Sequence, residues 1–344
     1  MREVLNEPVS SNTSFYADLK NGQRPQVSQQ EVKVVAQKIV LPEATIHVSE
    51  YENPDNKITL HVTHNSADVA EWVRQSDNFA SNPETSVPSN LVGMLTSVTD
   101  VSRNSRYIID GESGEIVESN VLSHSRYTWG VGLYTYCDRL STGLPSGQLE
   151  NIYWQSSGFW QELFTKFIFD LYKDNEKRIV SPKKLLQANN RQNKPSCLFR
   201  LNTIDMKIAY AYEFPVTYED GKSNNHMILS PQFVPRVHGA GSSTDGYIVC
   251  TVASENSDEI WIFDAKNLAQ GSVCKLDHPE LNFSYTIHTT WLPKIAPRTA
   301  TYNCPVREDY QEQVTRPSGS NSKFKVQNSK LKTISRSLNS LRYC

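Results

Sequence analysis

Short runs of β-branched and aromatic residues, each bounded by polar turn residues, recur along most of the chain. That rhythm belongs to an all-β sandwich, barrel or propeller. It is clearest in residues 244–268, TDGYIVCTVASENSDEIWIFDAKNL, where runs from Tyr247 to Ala253 and from Glu259 to Phe263 flank a Ser-Glu-Asn-Ser-Asp turn. A second hairpin is predicted over Arg106–Ser119, where Asp110-Gly111 and Ser113-Gly114 supply residues that tolerate positive φ. One segment breaks the period of two. From Ser157 to Lys177, Phe159, Leu163, Phe167 and Leu171 recur at helical spacing, with Trp160, Phe164 and Ile168 on the adjoining stripe. The spacing predicts one helix capped near Ser156 or Ser157. Its wide apolar arc fits packing on the sheet body or, with Lys166 and Lys173 at the polar edge, an interfacial position on a membrane.

The same pattern divides the chain. Residues 1–31 read as an irregular N-terminal segment and 32–304 as the β body. From 305 onward the sequence turns polar, Ser-rich and basic, without enough periodicity to bury a face, and reads as a disordered tail. Hydrophobic residues make up only 38%, so long polar loops are expected, but 16 Tyr, 12 Phe and 6 Trp can still build a core. A formal net charge of −2 gives no field for nucleic acid. Six cysteines without a C-x-x-C pair read as reduced thiols of a cytoplasmic protein. No stretch approaches the eighteen or so apolar residues of a membrane span, which leaves peripheral contact as the membrane mode. Glycine-rich phosphate loops and the nucleophile elbow of hydrolases are missing.

Histidine carries the chemistry. The chain has eight: His47, His61, His64, His124, His226, His238, His278 and His288. His61 and His64 form H-x-x-H, but a separation of three puts them on opposite faces of a strand, unsuited to a shared metal. Two others have informative surroundings. Phe233-Val-Pro-Arg236, then residues 244–268, then Phe283-Ser-Tyr-Thr-Ile-His-Thr-Thr-Trp-Leu-Pro293 resemble the closing region of the carotenoid cleavage oxygenases, including the lignostilbene-cleaving and retinoid-isomerising branches. In that family a Pro-Arg turn leads to an Asp-Gly-Trp/Tyr strand, an Asp-Ala-Lys/Arg-x-Leu turn and a final Phe-His-Gly-x-Trp. Upstream, Ile46–Val62 is similar to the family's H-x-x-N-A-x-E segment, and Ser125–Leu133 to its R-Y-x-Y-G strand. The match runs from about Ile46 to Pro293, with Ser141–Cys197 as a poorly matching insertion.

The resemblance implies a seven-bladed β-propeller, here partial or truncated to four or five blades with one inserted helix. It also implies an Fe(II) held by four histidines, which adds O2 across a double bond of a lipophilic polyene or stilbene. Neutral imidazoles with open coordination positions suit that chemistry. His288 takes the place of the last ligand, with Thr289 where the family has glycine. Aligning Glu52 with the family glutamate places Ser49 at the asparagine and Ile46 at the ligand, so His47 lies one residue out of register. A bulge would bring it inward. Glu118 is the nearest candidate for a carboxylate that orients an imidazole, and Ser230 stands where another such glutamate is expected. Only 46 residues precede His47, too few for the half of the propeller that carries the other ligands. The expectation is therefore an incomplete or inactive dioxygenase-like protein, the alternative being a non-catalytic propeller module.

Overall fold

The structure is a computed structural model that describes residues 46–49, 54–67, 71–137, 149–186, 193–219, 222–239, 241–254, 257–283, 286 and 288–292. The predicted N-terminal segment, the tail and Glu52 lie outside the described residues. The chain divides into two compact units, and every element below belongs to the first, Met1–Trp291.

Three four-stranded antiparallel sheets follow one another. Strands β1 (Ile46–Ser49), β2 (Lys57–His64), β3 (Arg103–Asp110) and β4 (Ile116–Leu122) form blade 1, in that order. Strands β5 (Val131–Thr135), β6 (Asn151–Ser156), β7 (Cys197–Asn202) and β8 (Lys207–Glu213) form blade 2. A two-stranded ribbon, β9 (Val216–Glu219) and β10 (Lys222–Asn225), leads to blade 3: β11 (Met227–Pro235), β12 (Gly246–Ala253), β13 (Asp258–Asp264) and β14 (Ser272–Asp277). Chain-order meanders of four strands are propeller blades. The fold is all-β and a partial propeller, as the resemblance implies, but the described residues form three blades and not the four or five expected.

Each blade turns from its third to its fourth strand on an Asp or Asn whose side chain holds the backbone that follows. Asp110 Oδ1 accepts from the N–H groups of Glu112 at 3.0 Å and Ser113 at 2.7 Å. Asn202 Oδ1 accepts from Ile204 at 2.9 Å and Asp205 at 3.2 Å, and Asp264 Oδ1 from Lys266 at 2.8 Å. These side-chain turns set the repeat. Both hairpins predicted from sequence are present, as β3–β4 and β12–β13.

The blades stack through opposite faces. Tyr153 and Leu198 of blade 2 pack with Ile228, Phe233, Ile248, Cys250, Trp261 and Phe263 of blade 3. The other face of blade 2, Ile152, Trp154, Phe199 and Leu201, turns toward Leu122 of blade 1. Every residue of β6 is therefore buried, which erases the alternation of a half-buried strand. This corrects the reading of Ser141–Cys197 as an insertion, because it contains the central strand of blade 2.

The single helix predicted over Ser157–Lys177 is also corrected. Phe159 bridges Lys194, Gln161–Leu163 is one 3-10 turn, and only α1 (Lys166–Tyr172) is α-helical, followed by the short α2 (Pro182–Leu186). Thr165, not Ser157, is the N-cap, its hydroxyl accepting from Ile168 N. Phe159, Phe164 and Ile168 are buried with Val98, Val101 and Trp129. The stripe of Phe159, Phe164 and Ile168 thus serves the core, while Phe167 and Leu171 of the predicted arc stay at the surface. The segment after α1 is tied down by the buried carboxylate of Asp100, which accepts from Ser66 Oγ and from the N–H groups of Val101, Ile179 and Val180 at 2.8–2.9 Å. Beside it, burial lowers the pKa of Arg178, and the charge of Asp100 opposes that shift.

Candidate functional site

The first strand of every blade carries the same irregularity. In β1, Ile46 opposes Val62 and Val48 opposes His61, so one extra residue, His47, sits in the strand. In β5, Val131 opposes Ser156 and Tyr134 opposes Trp154. In β11, Leu229 opposes Thr251 and Gln232 opposes Val249. Each first strand therefore holds one more residue than its partner across the same interval, a β-bulge that re-aims side chains. The out-of-register histidine of the sequence comparison falls on a bulge.

The remaining candidates are placed as follows. His61 and His64 lie on a regular stretch of β2, opposite Arg106 and Arg103, so they point to opposite faces, and His64 Nε2 lies 3.1 Å from Ser105 Oγ. Glu118, on β4, shares the face of Arg106 and Asn120. Its carboxylate accepts from the Arg106 guanidinium and from Asn120 Nδ2 at 2.6 Å. His288 is in an exposed, irregular segment. Its neighbour Thr289 donates to the Ser230 carbonyl at 3.1 Å, and the Ser230 hydroxyl donates to Thr289 Oγ1 at 3.2 Å. Ser230 is buried in the β11 bulge with a left-handed φ of 37°. Two of the positions where the sequence departs from the carotenoid oxygenase pattern thus bond to each other, which residue-by-residue reading could not show.

The other histidines have local roles. His124 stacks on Tyr127 and accepts from Arg126 N, His226 Nδ1 lies 2.8 Å from the Pro215 carbonyl oxygen, and His278 Nδ1 accepts from Glu280 N. Among the described residues no three His, Cys, Asp or Glu side chains stand together as a metal would require. A four-imidazole iron shell with carboxylates behind it does not fit this donor set: Glu118 serves Arg106 and Asn120, and Ser230 offers a hydroxyl bonded to Thr289. No helix among the described residues is long and apolar enough to cross a membrane.

The stretch that carries the resemblance most specifically is a structural clasp. Arg236, after Pro235, bonds Asp264 at 2.6 Å, pairs with Asp245 at 3.3 Å and lies over the Tyr247 ring at 4.3 Å. The Pro-Arg turn, the Asp-Gly-Tyr strand and the Asp-Ala-Lys turn therefore meet in one place. Gly246 is needed there, because a Cβ would come within 2.4 Å of the Phe233 ring and 2.6 Å of the Val234 carbonyl.

Among curated proteins no sequence matches. The cobalt-substituted apocarotenoid oxygenase of Synechocystis is 12% identical with a TM-score of 0.43, covering 73% of this chain and 40% of its own. A lignostilbene dioxygenase of Pseudomonas brassicacearum is 16% identical with a TM-score of 0.38, covering 72% and 40%. A Synechocystis apocarotenoid oxygenase variant covers 71% of this chain and 38% of its own, so the chain spans about two fifths of the length of these structures. The family model described as retinal pigment epithelial membrane protein matches residues 31–293. The match takes in all three blades and the Arg236 clasp, and the chain belongs to that family.

Proposed function

We propose that this chain carries the blade scaffold of a double-bond-cleaving oxygenase for a lipophilic carotenoid, apocarotenoid or stilbene, and that it does not retain Fe(II) or cleave such a substrate by itself. One observation carries this reading: Ser230 and Thr289 hydrogen-bond to each other beside His288. A carboxylate that fixes an imidazole accepts its second N–H with a full negative charge, and the neutral Ser230 hydroxyl cannot supply that charge. The Glu118 carboxylate is likewise engaged by Arg106 and Asn120. That leaves His288 at a family ligand position and His47 one residue from another, and two imidazoles hold Fe(II) far less firmly than four.

The test loads the full chain with Fe(II) without oxygen, desalts it and measures bound iron, then adds oxygen with a carotenoid or stilbene. Iron well below one per chain and no aldehyde products are expected. Stoichiometric iron that is lost in His288→Ala and accompanied by aldehydes would overturn the reading.

Contact with a membrane surface belongs to the same reading, carried by the part of the predicted arc that stays exposed. Phe167 and Leu171 are one turn apart on α1, 41% and 50% exposed, and the Arg74 guanidinium lies 5.5 Å from the Phe167 ring centroid. Trp72, two residues before Arg74, is 50% exposed. An exposed aromatic and aliphatic patch with cations at its rim suits a lipid interface. Flotation with anionic liposomes should fall several-fold in a Phe167→Glu, Leu171→Glu double variant. Equal recovery of a folded variant excludes this patch.

A further inference from the structure

The face of blade 1 that turns toward blade 2 contains polar groups to which the protein gives no partner. Thr63 on β2 and Asn104 on β3 stand directly opposite each other in the antiparallel ladder, so their side chains share one face. Both are buried, Thr63 at 0% and Asn104 at 1% exposure. Thr63 Oγ1 and both polar atoms of the Asn104 amide make no hydrogen bond within the protein, nor does Nε of Arg106, two residues along the same face. Two neighbours beside them are already bonded. Ser102 Oγ accepts from Val131 N at 3.0 Å and from Asn65 Nδ2 at 3.2 Å, and Arg106 Nη1 donates to the Thr203 carbonyl at 2.7 Å. Leu122, opposite Asn104 on β4, offers no polar atom.

Buried amides and hydroxyls are almost always bonded, and orphans gathered at one point indicate a bound partner. Here the partner must donate to Asn104 Oδ1 and also accept from Asn104 Nδ2. An anion cannot donate. A cation cannot accept, and a threonine hydroxyl with one amide oxygen is too poor a donor set to hold it. Water does both and suits two side chains that are buried from bulk solvent. We propose that Thr63 and Asn104 form a binding site for internal water at the seam between blades 1 and 2. This site stands on the blade packing alone and is independent of the oxygenase reading.

The test uses the full chain and the isosteric variant Thr63→Val. A bound water loses one of its anchors in that variant, and the unfolding equilibrium constant should rise about ten-fold, about 1.4 kcal/mol. In a dry seam the same change removes an orphaned hydroxyl and raises stability, which overturns the proposal. If the variant does not fold, a crystal structure of the unaltered chain decides. Ordered water within about 3.2 Å of both Thr63 Oγ1 and the Asn104 amide supports the site. Direct protein partners for these atoms, or density for a larger solute, overturns it.

Discussion

The seam between blades 1 and 2 and the seam between blades 2 and 3 use the same geometry with opposite chemistry. Between blades 2 and 3 both faces are apolar: Tyr153 and Leu198 on one side meet Ile248, Cys250, Trp261 and Phe263 on the other. The buried Tyr153 phenol there is satisfied, its hydroxyl lying 2.7 Å from the Ser243 carbonyl and 3.1 Å from that of Ala265. Between blades 1 and 2 the faces do not match. Blade 2 presents Trp154, Phe199 and Leu201, and blade 1 answers with His61, Thr63, Asn104, Arg106, Glu118 and Asn120 around Leu122. An arginine crosses each seam to carbonyls of the next blade, Arg106 to Thr203 and Ile204, Arg200 to Ala265 and Lys266. The crossing is shared while the filling differs, so the blade 2–3 seam should hold most of the stability and the blade 1–2 seam most of the polar specificity.

The largest effect should come from emptying the apolar seam. Trp261 is buried among Tyr212, Phe214 and Phe263, and Lys275 Nζ lies 3.4 Å from its ring centroid. Trp261→Ala should cost about 3–5 kcal/mol in denaturant unfolding. Leu122→Ala on the other seam, where the side chain is only half-buried, should cost about 1 kcal/mol. Equal costs would break the comparison. Next is Tyr153→Phe, which keeps the ring and removes the donor to the Ser243 carbonyl, while the Ala265 carbonyl keeps Arg200, with an expected loss of about 1–2 kcal/mol in the same measurement.

The apolar seam was the legible one. Its strands alternate with period two, β12 burying every second residue, and the Asp264 turn is written in local residue types. The Arg236 clasp was visible as separate landmarks before their common contact was. Blade 2 was harder to read, since β6 is covered on both faces and has no alternation to find. Phe159 and Phe164 fell at helical spacing because a bridge and a 3-10 turn feed the same core as α1. The candidate site was legible only as a register conflict at His47. A bulge is a property of a strand pair, and pairing is not local information. The Ser230–Thr289 bond joins residues 59 apart and left no local trace.

Alkaline pH sharpens the comparison further, through the thiols and the phenol that the two seams bury. Burial pushes the Cys250 thiol above its ordinary value of 9.0 and the Tyr153 phenol above 10.0, both on the blade 2–3 seam. Cys197 shares the β7 face of Phe199 and Leu201 toward blade 1, and burial is the main cause pushing it up to about 12. The folded protein keeps these protons at pH values where the unfolded chain releases them. It therefore binds more protons than the unfolded state, and stability must fall as pH rises. For Cys197 the contribution is whole below about pH 9 and drains away between 9.0 and about 12. Each group should remove about 1 kcal/mol by one pH unit above its ordinary value. Denaturant unfolding of the full chain at pH 8, 9 and 10 measures this. Cys250→Ala, weaker at neutral pH because it opens a small cavity, should lose stability over that range more slowly by the share of one group. Cys197→Ala should flatten the curve by the same amount. If Cys250→Ala keeps the full alkaline slope while Cys197→Ala loses part of it, the titrating burial belongs to the polar seam and the contrast between the two is reversed.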